Sequence, residues 1–389
     1  MMPIIPKPKQ KPLCPFFSSG PTSKRPGWTI DVLKNAALGR SHRSISAKAK
    51  INEVLQKTRQ LLQIPDDYLI ALTPASDTGA FETCLWSLLG PKPVDILVWD
   101  VFGQVWQVDI TTQLKLPDVG IIEGPKGYLP DFKQTNSNHD IVFCWNGTTS
   151  GLIVPDSNWI AENREGLTLC DITSAVFAVD IPWHKLDASS FSWQKCMGGE
   201  AQHGILVLSP KAQKRLESYT PLWPMPRLFR LTQNGKINRK IFEGDTINTP
   251  SLLVIEDAID ALNWMVSIGG LEATKKRSAT SLDIISNWVK DKNWIAFNAQ
   301  KIESRSPTSI CLNIIDKKFL AFSREEQFSK IASIAQLLED ENVAFDIKGH
   351  AFGDPCIRLW GGPTIDPSNM ALLLPWIEWA FASVFEIQH

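Results

Sequence analysis

The sequence has no run of about 18 uncharged apolar residues, the length a helix needs to cross a bilayer. Its first fifteen residues hold lysines and five prolines rather than a continuous apolar stretch, so neither a membrane span nor a signal peptide is expected. An excess of either charge is also missing. Lys and Arg number 40 against 41 Asp and Glu, a net charge of −1, so no global field draws nucleic acid or an anionic membrane surface. A small-molecule partner is the default expectation. The seven cysteines are odd in number and form no C-x-x-C pair. Cys144 and Cys170 lie in apolar runs as small buried hydrophobes, which fits a reducing cytoplasm and gives no metal site. There is no internal repeat and no composition typical of disorder or of a fibre.

The chain has 389 residues, 43% apolar and 21% charged, enough for two domains with a sizeable core. Proline density rules out regular structure before about residue 16 and suggests an extended arm, 1–16, crossing this or a partner subunit. Short β-rich runs then alternate with helical ones. The pattern predicts helices over Ile51–Leu62 and Phe81–Leu89. It predicts strands over Leu69–Thr73, Asp95–Trp99, Ile141–Trp145, Leu167–Asp171 and Gly204–Leu208. Such alternation implies an α/β fold with a mostly parallel sheet, whose ligand sites gather at the carboxyl ends of the strands. A long helix, Ser251–Val266, ends at Gly269-Gly270. Beyond it come a helical stretch at Leu282–Val289, a strand at Thr308–Ile315 and a helix through Phe328, Ile331, Ala335 and Leu338. Short strands at Ala344–Ile347 and Ile357–Trp360 follow. This order suits a smaller α+β domain, giving a large domain over 17–268 and a small one over 269–389.

Asp171 closes the apolar run from Gly166, and Lys195 follows Ser192-Trp193-Gln194 ahead of Gly198-Gly199. Each side chain would emerge at a strand end or turn. A lysine amine there could bond an aldehyde while a carboxylate keeps a pyridine nitrogen protonated, the two needs of a pyridoxal phosphate site. On spacing alone, an Asp capping the next helix and a solvated Lys fit as well. Five further segments could converge on that pair. Ala75-Ser76-Asp77-Thr78-Gly79, between a strand and a helix, offers free N–H groups and hydroxyls to a phosphate, or is a plain turn with Asp77 as N-cap. Trp106 could stack on a planar ring or simply fill a core, as one of 15 tryptophans. Asn146-Gly147-Thr148-Thr149-Ser150-Gly151 could touch a cofactor oxygen or make a turn. His42 and Arg43 suit a phosphate or carboxylate, or solvent. Arg358, inside an apolar strand, requires a carboxylate, structural or from a substrate.

Five runs, Pro74–Gly79, Trp145–Gly151, Cys170-Asp171, Trp193–Lys195 and Phe242–Pro250, taken in this order, resemble the phosphoserine aminotransferases. The likeness extends from about Phe17 to Trp360 and is greatest to the branch found in alphaproteobacteria and some archaea. It implies a class V aminotransferase on the type I pyridoxal-phosphate transferase fold, acting as a homodimer with active sites shared between subunits. The resemblance also implies roles for individual residues. Lys195 would bond the cofactor and shuttle protons, Asp171 would pair with the pyridine nitrogen and Trp106 would stack on the ring. Ser76, Asp77 and Thr78 would lie in the phosphate turn, Thr148 beside the ring's O3′ side and Gln194 at the phosphate. Asn248 and Thr249 would reach that phosphate from the neighbouring subunit. Arg358 would clamp the α-carboxylate, and His42, Arg43 and His350 would receive the substrate phosphate or the distal carboxylate of glutamate.

The implied reaction moves an amino group from L-glutamate to 3-phosphohydroxypyruvate in L-serine synthesis, or to the related 4-phosphohydroxythreonine skeleton in pyridoxine synthesis. One departure stands out: Ala351 occupies a position where the family usually has an arginine. A charge-assisted phosphate contact is worth about 1.5–3 kcal/mol, so its loss corresponds to roughly one to two decades in affinity. Other class V activities are rivals. These are a serine or alanine to glyoxylate aminotransferase, or a cysteine desulfurase, for which Cys311 and Cys356 are poorly placed. A catalytically silent dimer is a rival of another kind.

Overall fold

The computed structural model describes residues 5–386. Of the expected arm, residues 1–4 lie outside the described residues, as do residues 387–389 at the other end. Seven strands build the main sheet: β1 (Leu69–Pro74), β2 (Val94–Val98), β3 (Val119–Glu123), β4 (Asp140–Cys144), β5 (Thr168–Asp171), β6 (Ala188–Ser192) and β7 (His203–Leu208). Their order is β1-β7-β6-β5-β4-β2-β3, and β7 alone runs against the other six. Strands β2, β4, β5, β6 and β7 are buried along their whole length, as expected of strands covered on both faces. Alternate residues feed different cores. Ile205 and Val207 of β7 point to one apolar cluster, Leu206 and Leu208 to the other, which is the period-2 rule of the pleat.

Helices α1 (Ile45–Leu62), α5 (Leu252–Ser267) and α6 (Gly270–Lys290) cover one face. Helices α2 (Ser76–Leu88), α3 (Val101–Val108) and α4 (Pro210–Ser218) cover the other. Ser44 and Ser251 start α1 and α5 by accepting hydrogen bonds from Ala47 N–H and Val254 N–H, satisfying otherwise unpaired first-turn donors. The α5–α6 break falls at Gly269, whose φ of 114 is open to glycine. A hairpin of β8 (Thr232–Gln233) and β9 (Lys236–Ile237) lies between α4 and α5.

A second, antiparallel sheet joins β10 (Ile295–Phe297), β11 (Ser309–Ile314) and β12 (Ile357–Trp360). Helices α7 (Lys317–Leu320), α8 (Arg324–Asp340) and α9 (Pro367–Glu386) complete that region. The segment after Ile5 runs along the same chain's C-terminal part. Lys7 pairs with Glu341 at 2.6 Å, Trp376 donates to Gln10 O at 2.7 Å, and Phe345 N–H donates to Pro15 O at 2.8 Å. Among the described residues, no helix is long and apolar enough to cross a membrane.

Several elements differ from the sequence reading. Ala344–Ile347 is no strand: only isolated bridges at Phe345 and Lys348 form, and Asp346 adopts a φ of 56 that breaks a ladder. The second predicted helix starts at Ser76 rather than Phe81, and the helix around Leu282 reaches back to Gly270. Strand β6 escapes the apolar pattern because its sequence is ASSFS, yet Ser189, Ser190 and Ser192 are all buried.

Candidate active site

The carboxyl ends of β1, β2, β4, β5 and β6 converge on one side of the sheet, where open α/β sheets collect their ligands. From β1 the chain enters α2 through Ala75 and Ser76, with φ of 64 and 55. Left-handed backbone costs a residue with a Cβ about 1–2 kcal/mol, and here it leads into the first turn of α2, where Ser76 N–H donates to Gln202 O at 3.4 Å. Asp77 is not the N-cap; Ala75 holds that position without a side-chain bond. The Asp77 carboxyl turns inward instead and accepts from Ser190 Oγ at 2.7 Å.

Asp171 is the last residue of β5 and is 8% exposed. Its oxygens accept from Thr173 N–H at 2.9 Å and from the Trp106 indole N–H at 3.3 Å, with the Cys144 thiol at 3.8 Å. Trp106, on α3, is buried against Phe81 with ring centroids 4.9 Å apart. The donors around Asp171 suit a carboxylate held anionic and fixed in direction.

Lys195 lies in the turn after β6 and is buried, which removes the reading of a solvated lysine. Thr22 grips that turn from both sides, its N–H donating to Gln194 O at 2.9 Å and its hydroxyl to Lys195 O at 2.5 Å. The amine donates to Ser19 O and lies 5.8 Å from the centre of the Trp360 ring. Gly20 lets the chain pass beside it, since a Cβ there would collide with Lys195 Nζ. Burial, and then the Arg358 charge, push the amine down to about 8, with Asp171 opposing. An amine with that value is part neutral near pH 7 and is competent as a nucleophile and base.

Arg358 enters from β12, paired across the ladder with Cys311. Its Nε is buried without a partner, and among the described residues its guanidinium makes no ion pair. A cation in that condition beside Lys195 fits an incoming carboxylate. His350 lies in the loop before β12, where burial and the charges of Arg358 and Lys195 lower its pKa. Thr148 donates to Ser174 Oγ at 3.0 Å, and Thr78 follows Asp77 in the first turn of α2. Gln194 Oε1 and Thr173 Oγ1 are buried with no partner. These unpaired groups beside Lys195 and Asp171 are what a bound polar ligand would satisfy.

The remaining candidates lie elsewhere. His42, Arg43, Asn248 and Thr249 share a cleft of about 320 Å³ with Arg227, Leu228, Thr246 and Ile247. An adjoining cleft of about 470 Å³ adds Arg230 and Lys240. Neither includes Lys195 or Asp171. Sequence spacing gives no hint of Arg227, Arg230 and Lys240, because they fit no helix or strand face; the β8–β9 hairpin and the turn at Arg227–Phe229 aim them. His203, pushed down to about 4 by burial, accepts from Ser251 N–H at 3.1 Å and so ties the Asn248-Thr249 segment to β7.

No family model matches the chain. Full-length comparison decides the relationship: the phosphoserine aminotransferase of Methanosarcina barkeri is 51% identical over 375 residues, covering 96% of this chain and 99% of that protein. The chain belongs to the phosphoserine aminotransferase family. Solved structures agree on the fold at low identity. A phosphoserine aminotransferase from Cytophaga hutchinsonii matches 94% of this chain and 98% of its own, at 18% identity and a TM-score of 0.78. A pyridoxamine-pyruvate aminotransferase from Mesorhizobium loti reaches 0.79 at 17% identity, over 97% and 93% of the two chains. Fold similarity therefore does not separate members of the phosphoserine aminotransferase family from their neighbours in substrate; the sequence identity does.

Proposed function

We propose that this chain is a pyridoxal-phosphate-dependent aminotransferase that exchanges the amino group of L-glutamate with 3-phosphohydroxypyruvate, giving 2-oxoglutarate and O-phospho-L-serine in L-serine synthesis. The observation that carries the reading is the buried Lys195 amine, set between the Asp171 carboxylate and the unpaired Arg358, in a chain half identical to a phosphoserine aminotransferase over nearly its full length. The residues fit the cofactor. Asp171 would hold the ring nitrogen, Trp106 the ring face, Thr148 the O3′ side, and the Ser76 and Thr78 hydroxyls, the Asp77 backbone N–H and Gln194 the phosphate end.

When bound, pyridoxal phosphate supplies an aldehyde for covalent attachment and a ring that withdraws electrons from the substrate Cα. The protein does the rest. Arg358 binds the α-carboxylate and orients the Cα–H bond. Lys195 Nζ, part neutral at neutral pH, would take that proton and hand it to the carbon of the cofactor's aldehyde group within the same half-reaction, and would carry a proton the opposite way when the keto acid is aminated. Asp171 keeps its partner protonated, and the buried setting excludes water.

The cleft of His42, Arg43, Asn248 and Thr249 supports a homodimer in which this face completes the partner's site, with His350 reading the distal phosphate or carboxylate. We further propose a cofactor domain over 17–268 and a small domain over 269–389, cytoplasmic location, and a second substrate of the 4-phosphohydroxythreonine type in pyridoxine synthesis. The test is a half-reaction with L-glutamate, followed by titration of the aminated enzyme with keto acids that carry or lack a phosphate group. Preference for the phosphorylated acid supports this reading; preference for glyoxylate or pyruvate replaces it with a serine or alanine to glyoxylate type.

A further inference from the structure

The Asp77 side chain does not cap α2 but turns to Ser190 of the sheet. It is 7% exposed, and among the described residues it pairs with no cation. One of its oxygens accepts from Ser190 Oγ at 2.7 Å. Ser190 of β6 is also the cross-strand neighbour of Asp171, so its side chain and that of Asp171 share one face of the sheet, the face covered by α2. The two carboxyls therefore approach each other beneath the strand ends, with Ser190 beside both.

Two ionised carboxylates in one buried site repel strongly, and such a pair keeps a proton. The donors decide which member keeps it. Asp171 accepts two N–H groups and lies beside a thiol, whereas Asp77 has only hydroxyls to accept from, Ser190 at 2.7 Å and that of Thr173 nearby. The other titratable groups facing Asp77 do not change this balance. Burial holds the thiols of Cys84 on its own helix, Cys144 on β4 and Cys170 on β5 in their neutral form. The Lys195 amine, lowered to about 8 and so still mostly protonated at pH 7, donates to Ser19 O and forms no ion pair with Asp77 among the described residues. Burial first, and then the charge of Asp171, raise the Asp77 carboxyl well above the usual carboxylate range.

We propose that Asp77 is a positioning residue: a neutral carboxyl that accepts from Ser190 and donates its own proton to Asp171, fixing that carboxylate as the anionic partner of the cofactor ring. This role rests on the pyridoxal phosphate reading above. It also explains a carboxyl in a turn that would otherwise set a negative charge against a phosphate.

A neutral donor can be replaced by an amide, and an anion cannot. The experiment compares purified wild type, Asp77→Asn and Asp77→Ala in two measurements. The first is the dissociation constant of the apoproteins for pyridoxal phosphate. Asp77→Asn is expected to stay within threefold of wild type and Asp77→Ala to weaken tenfold or more. An Asn variant as weak as the Ala variant, or an Ala variant equal to wild type, overturns the proposal. The second is the melting temperature of the apoproteins from pH 5 to 9. A carboxyl whose folded pKa is raised stabilises below its unfolded value, and that stability is lost as pH rises through the folded value. Wild type should therefore lose more stability toward pH 9 than Asp77→Asn does; identical pH dependence overturns the proposal. If wild type takes up no cofactor, the functional reading fails, while the melting comparison still judges where the proton resides.

Discussion

Replacing Arg358 by methionine separates function from stability, because among the described residues the guanidinium has no partner to leave stranded. Its Nε is buried and unpaired, and β12 holds it against Cys311. Holding a half-buried cation without a counter-charge costs stability, and an apolar side chain of similar length removes that cost. The melting temperature of Arg358→Met should therefore hold or rise. Binding changes in the opposite direction. A hydrogen-bonded contact between Arg358 and the α-carboxylate is worth about 1.5–3 kcal/mol, so kcat/KM for L-glutamate should fall by roughly 10- to 150-fold. The loss should extend to every amino-acid substrate, since all share the α-carboxylate. A third consequence follows from electrostatics. Arg358 is the second cause, after burial, of the lowered Lys195 value, so the variant's amine should titrate at higher pH. Stopped-flow absorbance of the glutamate half-reaction and thermal melting of the same preparation read these effects. An unchanged kcat/KM for glutamate would refute the assignment of the α-carboxylate to Arg358, and a melt several degrees lower would show that the guanidinium has a structural partner.

Capture of pyridoxal phosphate by the apoprotein, trapped with borohydride and located by mass spectrometry, should modify Lys195 at a rate that rises with pH and levels off above about 8. Continued rise toward the ordinary lysine range near 10.4 would contradict the buried, partly neutral amine. Arg227→Ala tests the basic cleft shared with His42 and Arg43. It should lower kcat/KM for O-phospho-L-serine by roughly tenfold or more and for glutamate by less, because the phosphate carries the larger charge. Equal losses on both substrates would remove Arg227 from phosphate recognition and leave Ala351 uncompensated.

Much of the scaffold was legible because periodicity reports burial directly. Ile51, Val54, Leu55, Leu61 and Leu62 recur at helical spacing and all face the core in α1. The runs ending at Cys144 and Asp171 are apolar because both faces of those strands are covered. Strand β6 was hidden for the converse reason: its serines are buried although polar, Ser190 donating to Asp77, and hydropathy does not register that. The long helix α9 and the edge strand β3 also lacked a reading. Ala344–Ile347 shows the opposite error, where an apolar run fills the core without ladder partners because Asp346 takes a left-handed turn.

By itself the sequence determined the chemistry available. A lysine in a turn after Ser192, a carboxylate closing an apolar strand and an arginine within another are local facts, fixed by which residues border which hydrophobic runs. It also carried the family relationship, because the motifs recur in order along the chain. Only the tertiary structure decided which groups meet. The α2 backbone, through two left-handed residues, turned Asp77 toward Asp171. Packing of the Ser19–Thr22 segment against the Lys195 turn buried that amine and lowered its proton affinity. The fold also kept His42, Arg43, Asn248 and Thr249 in a cleft apart from Lys195. Burial, charge pairing and the direction of a side chain depend on residues distant in sequence, and so the protonation states that make this site work are set by the fold.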